Sequence, residues 1–223
     1  IEGAVVGTMY QAFPVQLVWT PLTWHALISG LCVLGCGFAL ARGGVTAQVA
    51  GLAALGLFGA VWGLYWPLEG KVLAGWTRMA LYLGLCGAGV ALALGLVSRL
   101  GPMPRGRWWL WVAPAAVAVL WGVGTALTPV PLRLAGPVMV GLTLWAMHRL
   151  GGGMDGAGAV DFGPPLPWTR CALFLIAPGV TVGLVVPGWV VLGGVGVNIP
   201  VAVATGVVGA ALWLWLLWRA ARR

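Results

Sequence analysis

Long apolar runs, with the few charges pushed into the gaps between them, limit what this chain can fold into. Of 223 residues, 12 are Lys or Arg and 4 are Asp or Glu. A soluble domain of this length would carry roughly 55 such residues. The apolar runs fall at 17–41, 45–66, 76–97, 108–126, 130–150, 169–186 and 200–218. Each is close to the ~17–25 residues that carry a helix across a ~30 Å hydrocarbon core. In lipid every backbone N–H and C=O must find a partner within the protein, which leaves helices and closed barrels. The alternating pattern of a membrane barrel is missing. The sequence therefore predicts an all-α, polytopic membrane bundle with seven transmembrane helices.

The runs leave room for one membrane domain over 17–218, flanked by an interfacial segment at 1–16 and a basic tail at 219–223. The longest connection, 151–168, is rich in Gly and Pro, as suits a loop. The net charge of +8 raises the question of nucleic acid. No basic face interleaved with aromatics is present, so no nucleic-acid partner is expected. With the N-terminus outside, Arg42, Arg99, Arg105, Arg107, Arg149, Arg170, Arg219, Arg222 and Arg223 fall on the inner side. Only Lys71, Arg78 and Arg133 fall on the outer side. This asymmetry predicts an N-out, C-in topology, with the basic excess serving orientation and contact with anionic lipid of the bilayer. The first residue is Ile1 rather than Met, as in a trimmed or mature form, and the opening residues lack the basic n-region of a signal peptide. Little Lys beside abundant Gly, Ala, Val, Trp and Arg has the character of GC-rich coding. The expected location is a bacterial inner membrane.

Packing should run through small residues, because lipid tails give helices no hydrophobic reason to associate. Gly59 and Gly63 form a GxxxG pair suited to packing inside the bundle. Trp19, Trp24, Trp66, Trp76, Trp108, Trp109, Trp168 and Trp218 lie near the ends of runs, where indole rings anchor at headgroup depth. Cys32, Cys36, Cys86 and Cys171 all fall within apolar runs and read as small hydrophobes rather than a disulfide framework. Pro178 interrupts the sixth run and Pro187 is expected to end it. The Gly-rich segment 187–199 is then an interfacial or re-entrant loop on the outer side, or a short turn between helices.

Chemistry concentrates on the first run. His25, Ser29, Cys32 and Cys36 are spaced 4, 3 and 4 residues apart, which places them on one helical face. A polar stripe on an apolar helix is expected to face protein. Trp19, Thr20, Pro21, Thr23 and Trp24 surround His25 in sequence. An imidazole here can exchange protons or hydrogen-bond a ligand, or it can be a structural histidine bonded to a neighbouring helix. Arg78 and Arg133 form an outer basic pair with Glu69 and Lys71 nearby, suited to anchoring or to an anionic or carbonyl-bearing ligand. No metal site is expected: His148, at the inner end of the fifth run, should lie near the opposite membrane face from His25, and the cysteines match no zinc spacing. Deep carboxylates and nucleophile motifs are missing, which sets aside ion pumps and hydrolases.

The segments WTPLTWH at 19–25, ISGLCVLGCGFALARGG at 28–44 and YWPLEGKVLAGW at 65–76 resemble the membrane-anchor subunits of bacterial respiratory molybdoenzymes of the polysulfide and dimethyl sulfoxide reductase type. The likeness covers the first ~80 residues, and such anchors have eight or more helices where this chain has seven runs. It implies an electron-transport role, a non-catalytic subunit partnered by other membrane or iron–sulfur subunits, and a quinone near the outer face. His25 would then be the quinone ligand, with Trp19, Thr20, Trp24 and Ser29 around it and Arg78 and Arg133 supplying positive potential. The alternative is a small transporter or channel for a neutral or weakly polar solute.

Overall fold

The computed structural model describes residues 15–70, 75–100, 112–127, 131–150 and 163–223. Among these residues there is no β-strand, and every long element is a helix. Helix α1 (Trp19–Arg42) follows the helical turn Val15–Val18. It is joined to α2 (Val45–Gly63), which runs on through the 3-10 turn Trp66–Glu69. Next come α3 (Trp76–Val97), α4 (Val112–Leu127), α5 (Ala135–Leu150), α6 (Trp168–Leu192) and α7 (Asn198–Ala221). Five of these, α1, α2 with its 3-10 extension, α3, α6 and α7, are long and apolar enough to cross a membrane. Helices α4 and α5 have 16 residues each. The remainder of the two runs expected at 108–126 and 130–150 falls partly outside the described residues.

Between 6 % and 22 % of each spanning window is buried inside the chain. What faces outward is apolar: Leu81, Tyr82 and Leu85 on α3, Val190 and Val191 on α6, Val207 and Leu214 on α7. In water such a surface would be an aggregation hazard. Against lipid tails it is the solvated state. The protein is a multi-pass helical membrane protein.

The chain clusters into two compact units. One comprises Ile1–Ile28, Pro102–Val160 and Ala204–Arg223; the other comprises Ser29–Gly101 and Asp161–Val203. In the second unit α2 lies along α6. Gly56, Gly59 and Gly63 recur every three or four residues and so share a face. A Cβ at Gly56 would sit 2.5 Å from the Ala177 carbonyl oxygen, and one at Gly59 would sit 2.7 Å from Thr181 Oγ1. Both Gly59 and Gly63 therefore pack inside the unit. The close approach lets the Thr181 hydroxyl reach the Gly56 carbonyl at 2.9 Å, with Ala177 O in its own helix at 3.0 Å. Towards the other end of the seam Trp189 Nε1 donates to Gly63 O at 2.9 Å. Helix α3 joins through Gly87 against Pro178 and Gly95 against the Trp168 ring. Two apolar cores result, one around Leu52, Leu94, Cys171 and Phe174 and one around Ala60, Met79, Val185 and Trp189.

Helix α6 corrects the expected loop at 187–199. Pro178 does disturb the run: a 3-10 turn at Leu173–Leu175 precedes it, where the ring of Pro178 crowds the preceding turn and its N–H is missing. Pro187 does not end the helix, which continues to Leu192. Buried Val185, Val186 and Trp189 hold that last stretch in the core, and this packing outweighs the one backbone bond a proline removes. The helix stops instead at Gly193 and Gly194, with φ of 72° and 159°, a region that favours glycine. A bond from Val195 N–H to Leu64 O at 3.0 Å ties the turn to the end of α2. The segment is thus the last turn of a helix followed by a short connection.

In the first unit the start of α1 meets α7. Thr23 is fully buried and its hydroxyl donates to Thr205 O at 3.3 Å. The closeness depends on Gly209, where a Cβ would lie 2.8 Å from Thr23 Oγ1. Helix α7 is tied to α5 by Trp213 Nε1, which donates to Thr143 Oγ1 at 3.0 Å. Arg223 donates to Leu150 O at 3.1 Å, and Arg222 stacks 3.9 Å over the Trp218 ring.

Candidate functional site

The head of α1 carries the sequence-derived site, and it is wound differently from an α-helix. Over Trp19–Cys36 the backbone makes wide π-type turns, in which bonds span one residue more than in an α-helix. The 3.6-residue period that lined up His25, Ser29, Cys32 and Cys36 therefore does not hold. Cys32 and Cys36 are exposed, contrary to the burial expected of them; of the four free cysteines only Cys171 is buried. In the first unit the buried side of α1 is Thr20, Leu22 and Thr23.

His25 is exposed at the head of the helix. The Trp19 and Trp24 rings lie beside it in sequence, with centroids 6.2 Å apart and planes tilted by 44°. Trp24 is exposed and Trp19 half-buried. Thr20 is buried, and its hydroxyl donates to Gln16 Oε1 at 2.9 Å. The hydroxyls of Thr20 and Thr23 thus hold the helix in place, and the His25 imidazole is exposed beside them with the two indole rings as its sequence neighbours. Those rings offer flat apolar contact, and the imidazole can donate one hydrogen bond and accept another.

Ser29, Arg78 and Arg133 complete the set of site residues expected from the sequence. Ser29 is half-buried and belongs to the second unit. Arg78 is exposed in the first turn of α3, also in the second unit. Arg133 is half-buried in the 3-10 turn Pro131–Leu134, in the first unit. Glu69 is exposed, and Lys71 lies outside the described residues. His148 is exposed in the last turn of α5. Among the described residues no three His, Cys, Asp or Glu side chains come together in a way that could hold a metal ion.

Sequence reasoning missed a polar cluster in the second unit. Gln48 is fully buried in the first turn of α2. Its Nε2 donates to Arg170 O at 2.8 Å, and its Oε1 accepts from Arg170 Nη1 at 3.0 Å. Arg170 Nη2 bonds the Gly43 carbonyl as well. At the end of α3, Ser98 Oγ accepts from Leu166 N–H at 3.0 Å while Arg99 Nη2 donates to Leu166 O at 3.1 Å. Arg99 also donates to Gly95 O at 2.6 Å and stacks 4.2 Å over the Trp168 ring. Arg42 Nη2 reaches Pro164 O at 3.4 Å. The sequence signal was a lone Gln inside an apolar run, together with three arginines read only as topology markers.

No family model, curated protein or solved structure matches this chain.

Proposed function

We propose that this chain is a seven-helix subunit of a respiratory-type oxidoreductase complex in a bacterial inner membrane, N-out and C-in, with a quinone-interacting site at the head of α1. The observation that carries the reading is the exposed His25 imidazole next to the tilted Trp19 and Trp24 pair. A quinone head group is a flat ring with carbonyls on its edge. Indole faces suit the ring, and an imidazole N–H suits a carbonyl. When bound, a quinone would supply the two-electron carrier chemistry. The part of this chain is to hold the ring at the interface, donate one hydrogen bond from His25 and pass a proton to or from water through the same imidazole. Thr20 and Thr23 keep the turn that presents these groups in register through Gln16 and Thr205.

Purification in mild detergent tests the reading. Quinone and further subunits should copurify with the wild type, and His25→Ala should lower quinone retention while the helical signal stays intact. A variant that binds quinone as the wild type does removes the site. A chain that purifies alone and quinone-free while moving a solute across vesicles supports the transporter alternative.

A further inference from the structure

Cys32 and Cys36 carry a chemistry that the quinone reading does not use and that does not depend on it. Both are free and exposed, on one spanning helix and within one unit. Cys36 lies near enough to act electrostatically on Cys32. Their spacing of four residues falls between the 3.6 of an α-helical turn and the wider π-type turn found here. The pair therefore shares a face under either winding, which the longer stripe from His25 does not. Cys86 and Cys171 have no second cysteine within a turn of them in the sequence. Counting along Trp19–Arg42, Cys32 and Cys36 stand at positions 14 and 18 of 24, so on the membrane reading they face lipid rather than water. Side chains one turn apart hold their Cβ atoms ~5–6 Å apart. A disulfide needs ~3.5–4.5 Å, so the pair is too wide to close on itself. One interposed atom bound by both sulfurs spans it.

We propose that Cys32 and Cys36 form a two-thiol site for a soft, two-coordinate divalent cation, of which the mercuric ion is the type. Thiolate sulfur selects soft metals. Zinc takes four ligands in a tetrahedron, and among the described residues no third His, Cys, Asp or Glu joins the pair. Charge decides among the two-coordinate ions. A monovalent ion on two thiolates leaves a net negative charge at membrane depth, which is costly. A divalent ion on two thiolates is neutral. Mercuric chloride is itself neutral and enters lipid, so it reaches thiols that face the bilayer. It exchanges its two chlorides for the two sulfurs. The thiol protons leave with the chlorides, and nothing is oxidised or reduced.

The test uses the full chain in mild detergent, loaded with one equivalent of mercuric chloride and challenged with glutathione, a monothiol. Two sulfurs on one helix act at high effective concentration. Stripping the metal from the wild type should therefore take about tenfold more glutathione, or beyond, than stripping it from Cys32→Ala or Cys36→Ala. Native mass spectrometry should show one mercury per chain with two protons lost, and Cys86→Ala should strip as the wild type does. Maleimide labelling read by peptide mapping is a second measurement that needs no variant. One bound mercury should shield both Cys32 and Cys36 and leave Cys86 reactive. A wild type that strips as easily as either single variant would overturn the proposal. So would a mercury that shields only one thiol of the pair, or that shields Cys86 in their place.

Discussion

Gln48 and His25 show opposite relations between a polar residue and an apolar helix. Gln48 is fully buried and exchanges two hydrogen bonds with Arg170, 122 residues away in the chain. Replacing it with Leu leaves the Arg170 carbonyl and one guanidinium N–H without their partner. The expected cost is about 1–2 kcal/mol, since hydrogen bonds between membrane helices are worth less than their strength in isolation suggests. Gln48→Glu keeps an acceptor for Arg170 and loses only the donor, so it should cost less. Equilibrium unfolding in mixed detergent measures both, and a Gln48→Leu curve that overlays the wild type would refute the role. His25 is exposed, so His25→Ala should change stability by no more than about 0.5 kcal/mol. Any loss of quinone binding in that variant then reports on the site rather than the fold. His25 stood out in the sequence because a histidine in an apolar run is conspicuous by itself. Gln48 acquires its meaning only from Arg170, and no local pattern points that far.

Helices α2 and α6 meet through glycine, and α3 also carries glycines, Gly84 and Gly89, at which a Cβ would meet no other segment of the described residues. Gly56→Ala places a methyl 2.5 Å from the Ala177 carbonyl oxygen and 2.7 Å from Val180 Cβ. The helices must separate, at about 1–3 kcal/mol. Gly89→Ala on α3 adds a methyl that, beyond its own stretch of helix, meets no atom of the described residues within 4 Å, and it should stabilise by about 0.5–1 kcal/mol through helix propensity alone. The same unfolding measurement separates the two, and equal effects would argue against a tight seam. Helix α6 makes a second prediction. Because it continues past Pro187 to Leu192, the amides of 189–192 should be protected in hydrogen exchange, whereas a loop would exchange them quickly. The expectation of a break at Pro187 applied a local rule that is sound for an isolated helix. Trp189, anchored to Gly63 O and 6.3 Å from the Trp66 ring, is the tertiary contact that overrides it.

The distribution of charge over the whole chain predicts its orientation. Arg42, Arg99 and Arg170 bind at one end of the second unit, while Glu69 and Arg78 lie towards the other. On the N-out reading the first end is cytoplasmic. In a background free of the four native cysteines, Glu69→Cys should be labelled by a membrane-impermeant maleimide from outside intact cells, and Pro165→Cys should not. Both positions are exposed, so the comparison reports sidedness and not burial. The reverse pattern would invert the topology and carry the quinone site to the inner face.

Class and helical content were determined by the sequence alone, and the reason is the solvent. A bilayer accepts a backbone only if its polar groups are paired within the protein, so an uncharged apolar run of spanning length has helix as its open-chain solution. That property is local, and seven such runs announce it seven times. Tertiary structure alone decided which faces meet. Nearly every face is apolar, and lipid does not rank one apolar face above another; close backbone approach does. So Gly56, Gly59 and Gly63 became a seam, while a Cβ at Gly84 or Gly89 would meet no other segment of the described residues within 4 Å. The same contacts turned Thr20 and Thr23 inward, left His25 and the Cys32 and Cys36 thiols facing out, and gathered three distant arginines around Leu166 and Gly43. Each of these outcomes depends on complementarity between segments far apart in the chain, which no window of the sequence contains.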